Sequence, residues 1–148
     1  MKITLDTNVL IRSHGRAKGA ARRVLEWIER SEHELVLSQS MIYELEEVLG
    51  YPQVRKVTGL TDEEMASYVA YVVKLAKLVD LGKPAVFSFH DVDDWMVLRT
   101  AIEGEVDVLC TLDGHFRHPS LAPVYKHHGI EVMTDVELLT RLRRTVTE

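Results

Sequence analysis

Cysteine is nearly missing from this 148-residue chain. The single thiol, Cys110, excludes an internal disulfide and a cysteine-based zinc site. Its neighbours Val108 and Leu109 mark a buried strand, so it reads as a small core hydrophobe rather than a nucleophile. Long apolar runs are also lacking: none approaches the roughly 20 residues that cross a bilayer. The opening MKITLDTNVL carries an aspartate where a signal peptide is apolar, so a cytoplasmic protein without a membrane partner is expected. Positive charge is short as well, with 18 Lys and Arg against 23 Asp and Glu, a net charge of −5. That argues against a protein that coats nucleic acid by charge alone. It leaves room for an enzyme acting on nucleic acid, because carboxylates gathered to hold metal ions add to the deficit and the bound cations locally reverse it. No repeat, low-complexity tract or linker is present, and 46% apolar with 28% charged residues is an ordinary globular balance. One domain, residues 1–148, is expected.

The chain alternates strand and helix signals. Lys2 to Asp6 alternates and ends in the polar cluster Asp6-Thr7-Asn8, read as a strand followed by a loop. Ala21, Val24, Leu25 and Ile28 recur at helical spacing to about Arg30. Glu34 to Leu37 is a short strand, and Ser38 an N-cap for a helix with Met41, Ile42, Leu45, Val48 and Leu49, which Gly50-Tyr51-Pro52 stops. Thr61-Asp62-Glu63-Glu64 is a capping box opening a long helix whose apolar side runs from Met65 through Tyr68, Val69, Val72, Leu75 and Ala76 to Val79. Gly82-Lys83-Pro84 ends it. Asp91 to Asp94 precedes a helix closed near Gly104. Val106 to Thr111 and Ile130 to Met133 are strands, and Thr134 to Glu137 caps a last helix reaching about Arg144. Strands separated by helices predict an α/β fold, with a mainly parallel sheet between two helical layers.

Ligands of such sheets sit beyond the carboxyl ends of the strands. Asp6 follows Ile3 and Leu5, and Asp113 follows Val108-Leu109-Cys110-Thr111-Leu112, so both acids project from one sheet edge. Glu44 lies on or beside the inward face of its helix, and a carboxylate near a core demands a partner. Asp94 occupies the first turn of its helix, where the dipole also suits a carboxylate. Taken singly, Asp6 reads as a turn residue and Asp94 as a cap. Together the four form a hard-oxygen donor set favouring magnesium or manganese over zinc. Such a cluster positions a water and stabilises the charge that builds on a phosphodiester under in-line attack.

These residues resemble the PIN-domain nucleases, particularly the VapC-like toxin components of prokaryotic toxin-antitoxin pairs. Leu5-Asp6-Thr7-Asn8-Val9-Leu10 is similar to the family's opening, and Ser38-Gln39-Ser40-Met41-Ile42-Tyr43-Glu44-Leu45 to its second motif. Asp94-Trp95-Met96-Val97-Leu98-Arg99-Thr100-Ala101 resembles the third and Val108-Leu109-Cys110-Thr111-Leu112-Asp113 the fourth. The order is the family's and the resemblance spans essentially the whole chain. It implies a three-layer α/β/α sandwich, magnesium- or manganese-dependent cleavage of RNA, frequent homodimers, an antitoxin partner, and Asp6, Glu44, Asp94 and Asp113 as metal-holding catalytic acids. Helix register selects Asp94 within Asp91-Val92-Asp93-Asp94, with Asp91 as the alternate. Where the family often carries a basic residue after the fourth acid, this chain has Gly114-His115-Phe116.

Asn8 and Thr111 are expected to orient the acids or a metal-bound water through hydrogen bonds; an Asx turn is the competing reading of Asn8. Arg16, Lys18, Arg22 and Arg23 form the most basic stretch, either tracking an RNA backbone or solvating a helix start. Arg141, Arg143 and Arg144 complement a helix C-terminus. His115 contacts the scissile phosphate or a leaving group if it approaches Asp113, and the other late histidines read as surface residues. Trp27 and Trp95 are assigned to packing in preference to base stacking. Two rival functions stand beside the ribonuclease: a catalytically silent PIN-like module binding RNA or protein, and a phosphatase or phospho-acceptor domain using Asp6 as nucleophile. The latter lacks a second acid two residues after Asp6 and a convincing lysine after a later strand.

Overall fold

Five short strands form one all-parallel sheet in the order β3-β2-β1-β4-β5. They are β1 (Lys2–Leu5), β2 (Glu34–Ser38), β3 (Lys77–Val79), β4 (Val108–Cys110) and β5 (Glu131–Met133). The computed structural model describes residues 1–82 and 92–147, and of residues 92–94, 146 and 147 the backbone alone. β1 lies at the centre, with Ile3 opposite Leu35 of β2 and Leu5 opposite Cys110 of β4. Ile3, Thr4 and Leu5, and all three residues of β4, are buried. That is the pattern of strands covered by helices on both faces, so near-continuous apolar runs replace alternation.

The helices are α1 (Thr7–Ile11), α2 (Ala20–Arg30), α3 (Gln39–Leu49), α4 (Pro52–Thr58), α5 (Asp62–Leu75), α6 (Val92–Glu103), α7 (Ala122–His128) and α8 (Asp135–Thr147). α2 packs along α8, α6 lies across β1, β2 and β4, and α3 sits against α5 and β2. The expected α/β sandwich around a parallel sheet is what the chain forms. Both capping boxes are present: Thr61 with Glu64 opens α5, and Thr134 with Glu137 opens α8.

Four local expectations are corrected. Thr7–Ile11 is a helical turn rather than loop, nucleated when Asp6 takes the Thr7 amide. Pro52 stops α3 but also begins α4, because proline is suited to a first helical turn. The helix expected to reach Val79 ends at Leu75. Ala76 is extended, and Lys77–Val79 leaves as edge strand β3, with Leu78 opposite Leu37; a short apolar run fits either period. Finally, α7 occupies the stretch that read as loop after Asp113.

Gly104 does close α6, for a different reason than a left-handed cap. A Cβ there would meet Val36 Cγ1 at 2.5 Å and the Thr100 carbonyl at 3.0 Å. The left-handed residue is Glu105, at φ 50°.

Candidate active site

From β1 the chain builds outward through β2 to β3, then crosses back to place β4 on the other side of β1. The switch point therefore lies between β1 and β4, where an open parallel sheet leaves a crevice beyond the strand ends. Asp6 leaves β1 there and Asp113 follows β4. The crevice is acidic at its floor.

Asp6 is only 7% exposed. Its Oδ1 accepts the Thr7 amide at 2.7 Å, and its Oδ2 accepts the Thr111 hydroxyl at 2.7 Å and the Asn8 side-chain amide at 3.3 Å. Burial raises the carboxyl above its ordinary range, and the nearby charge of Asp113 adds to that. The bonds from Thr111, Thr7 and Asn8 pull the other way. No cation bonds to Asp6 among the described residues. A buried carboxylate with a like charge beside it is the environment that a bound cation relieves.

Thr111 joins the two strand ends. Its hydroxyl donates to Asp6 and accepts the Asp113 amide at 3.0 Å. Asn8 makes a second bridge, accepting the Leu112 amide at 3.3 Å while donating to Asp6. Asp113 caps the following turn by accepting the His115 amide at 2.9 Å, and His115 Nδ1 stands 3.0 Å from the same oxygen. The imidazole is otherwise open to solvent.

Glu44 enters from α3, half-buried, and its Oε2 accepts the Thr7 hydroxyl at 3.0 Å. Thr7 is thus the link between the second acid and the first, and sequence reasoning gave it no role. Its signal was present in the Asp6-Thr7-Asn8 run, where every residue has a polar side chain and all three turn out to be bonded at the crevice. Ser38 stands at the N-cap of α3 as expected, but its hydroxyl receives the buried Thr100 hydroxyl at 2.8 Å instead of capping. That bond ties the start of α3 to α6, the helix that carries Asp94.

Asp94 lies in the first turn of α6, and its side chain is outside the described residues, as is Asp91 altogether. Among the described residues no three His, Cys, Asp or Glu side chains come close enough to hold a metal ion. Asp6, Glu44 and Asp113 are thus connected through Thr7 and Thr111 without forming a metal cage on their own.

The basic stretch divides in two. Arg16 grips Glu64 through Nε at 2.7 Å and Nη2 at 3.0 Å. Arg22 bonds Glu26 at 3.1 Å and the Ser13 carbonyl at 3.2 Å. Both are engaged in holding local structure, whereas Lys18 and Arg23 are exposed and make no ion pair with described residues.

A model of the PIN domain family matches residues 2–115, which includes β1 through β4 and every acid of the crevice. The chain belongs to the PIN domain family. No curated protein matches it. PIN domains are generally nucleases, and the matched residues include the crevice between β1 and β4. No helix among the described residues is long and apolar enough to cross a membrane.

Proposed function

We propose that this PIN domain is a magnesium- or manganese-dependent endoribonuclease that hydrolyses RNA phosphodiester bonds, with Asp6, Glu44, Asp94 and Asp113 as its acids. The observation that carries this reading is Asp6: buried, bonded by three donors, charge-coupled to Asp113, and without a cationic partner among the described residues. An all-oxygen donor set of this kind fits a hard divalent ion. Asp6 and Asp113 would hold it, with Glu44 and Asp94 completing the set. When bound, such an ion supplies Lewis acidity and a nucleophilic water at neutral pH.

The chain's own contribution is positional. Three donors fix both oxygens of Asp6, so the carboxylate cannot rotate away. Thr7 turns Glu44 toward the same crevice, and Thr111 holds Asp6 and Asp113 at a set separation. Such preorganisation keeps the acids ready for the charge that develops on phosphate. Asn8 and Thr111 serve as orienting residues. Lys18, in the segment between α1 and α2, and His115, beside Asp113, are exposed polar groups that would meet the RNA, and Arg16 and Arg22 brace the segment that carries Lys18.

The motif resemblance supports a biological role as the toxin of a toxin-antitoxin pair, restrained by an antitoxin and acting as a cytoplasmic homodimer. An apolar trough of about 580 Å³ between α3 and α5, with Leu49, Met65, Val69 and Val73 in its walls, supports a protein partner.

The decisive test is RNA cleavage with magnesium or manganese by the wild type and by Asp6→Asn and Asp113→Asn. Loss of at least about 100-fold in rate with an unchanged circular dichroism spectrum is expected. Activity surviving both changes would sink the assignment. Absence of activity and of manganese binding in the wild type would favour a silent RNA- or protein-binding module.

A further inference from the structure

α2 carries a face that the crevice does not account for. Arg23, Trp27 and Arg30 follow one another at intervals of four and three residues, which places them on one side of the helix. Seven residues of helix rise about 10 Å, so the two guanidinium groups lie about one turn to either side of the indole. Between them is a cavity of about 280 Å³ lined by Arg23, Glu26, Trp27 and Arg30. Its one carboxylate, Glu26, is already paired with Arg22 at 3.1 Å. The side chains of Arg23 and Arg30 are exposed and make no ion pair or hydrogen bond with described residues. Trp27 is half-buried, anchored against the core, and its indole N–H likewise bonds to no described residue.

Each part has a bland explanation. Arg30 suits the negative end of the α2 dipole, and Trp27 fills a gap beside the core. Neither explanation covers Arg23, which stands in the first turn of α2 where a cation is disfavoured. Neither explains why two unpaired cations flank an accessible aromatic edge on a chain of net charge −5. The direction of α2 supplies the rest. It starts beyond the end of β1, on the side of Asp6, and runs back toward the start of β2. α8 packs along it.

We propose that the Arg23-Trp27-Arg30 face of α2 is a track for single-stranded RNA leading away from the crevice, with phosphates on the two guanidinium groups and one base stacked on the indole. Alternation of cations with an aromatic platform is how sequence-tolerant single-strand binding is built. The track deepens the ribonuclease reading and rests on it: strand beyond the scissile bond would be held regardless of sequence.

The test uses a fluorescein-labelled 12-nucleotide oligouridylate and the full chain carrying Asp6→Asn, so that the RNA stays intact, with binding followed by anisotropy. In that background Trp27→Ala is expected to weaken binding about tenfold, as loss of one base–aromatic stack does, while Trp27→Phe stays close to the parent. Arg23→Gln with Arg30→Gln should lower the slope of log affinity against log salt by about 1.4, two phosphates' worth for a single strand. Those two positions are on the surface, so the slope remains readable if Trp27→Ala unfolds. Unchanged affinity and slope in the arginine double variant would overturn the track. So would oligoglutamate competing as well as the RNA, which would make the face a site for an acidic protein. Failure of the ribonuclease reading shows separately, as absence of cleavage by the wild-type chain.

Discussion

The Thr7 hydroxyl donates to Glu44 across 3.0 Å, joining the first residue after the Asp6 strand end to an acid 37 positions later. Thr7 is buried, and its backbone amide is already spent on Asp6. The hydroxyl therefore acts on the geometry of the acids without needing to touch RNA. Thr7→Val keeps the volume and removes the donor. We expect a fall of about tenfold in kcat, the effect of losing one hydrogen bond to a charged group, with KM nearly unchanged. Thr7→Ser should recover most of the rate. Equal loss in Thr7→Ser and Thr7→Val would place the role in packing rather than in the hydroxyl.

A cation that binds the native crevice and not the unfolded chain must raise thermal stability. In manganese at about 100 times its dissociation constant, the wild type should gain about 2.7 kcal/mol. That corresponds to a rise of roughly 5–10 °C in melting temperature. Asp6→Asn and Asp113→Asn should show little or no rise. A calorimetric scan in which all three proteins respond alike would place the ion outside the crevice.

Gly104 is held by space. A methyl group at its position would lie 2.5 Å from Val36 Cγ1 and 3.3 Å from Val79 Cγ2, both on the strands beneath the end of α6. Gly104→Ala should cost about 1–3 kcal/mol in urea denaturation, the range for overpacking a filled core. A helix-propensity gain would stabilise instead, by up to about 1 kcal/mol. The sign of the change decides which effect governs. Glu105→Gly, one residue on, should be neutral or stabilising, since φ 50° suits glycine.

The central strands and the helices that cover them were legible because their apolar spacing leaves little choice. Ile3, Leu5, Val108 and Leu109 are buried because both sheet faces are covered, and runs of that kind announce a parallel sheet. β3 was not legible, because Lys77-Leu78-Val79 continues the apolar spacing of α5 and only its pairing with β2 makes it a strand. The two strand-end acids could be placed from chemistry, and Glu44 from the cost of a carboxylate on an inward face. What the sequence hid was the wiring. Thr7 to Glu44, Thr111 to Asp6 and Thr100 to Ser38 are contacts between residues far apart in the chain, and no local pattern encodes them. The partner of Arg16 was hidden in the same way, because Glu64 lies 48 residues on, whereas the Arg22 and Glu26 pair is an i, i+4 contact of the kind that helical spacing does suggest.

The Arg16 and Glu64 pair ties the loop after α1 to the start of α5, and it should leave a signature in acid. Glu64 is held below the ordinary glutamate range, first by the Thr61 amide of the capping box and next by Arg16. A carboxylate whose folded pKa is depressed contributes stability above its unfolded value, and that contribution disappears as the pH falls through the folded value. Glu64→Gln lacks the charge at every pH. The wild type should therefore melt higher than Glu64→Gln at pH 7, and the gap should narrow once the pH drops below the unperturbed 4.5. Arg16→Gln should show a smaller gap at pH 7, because the capping bond persists without the guanidinium. Salt should shrink the Arg16 effect and spare most of the Glu64 effect, since an exposed ion pair is screened. A gap between wild type and Glu64→Gln that stays constant from pH 7 to pH 3 would show that packing of the side chain, and not its charge, secures the start of α5.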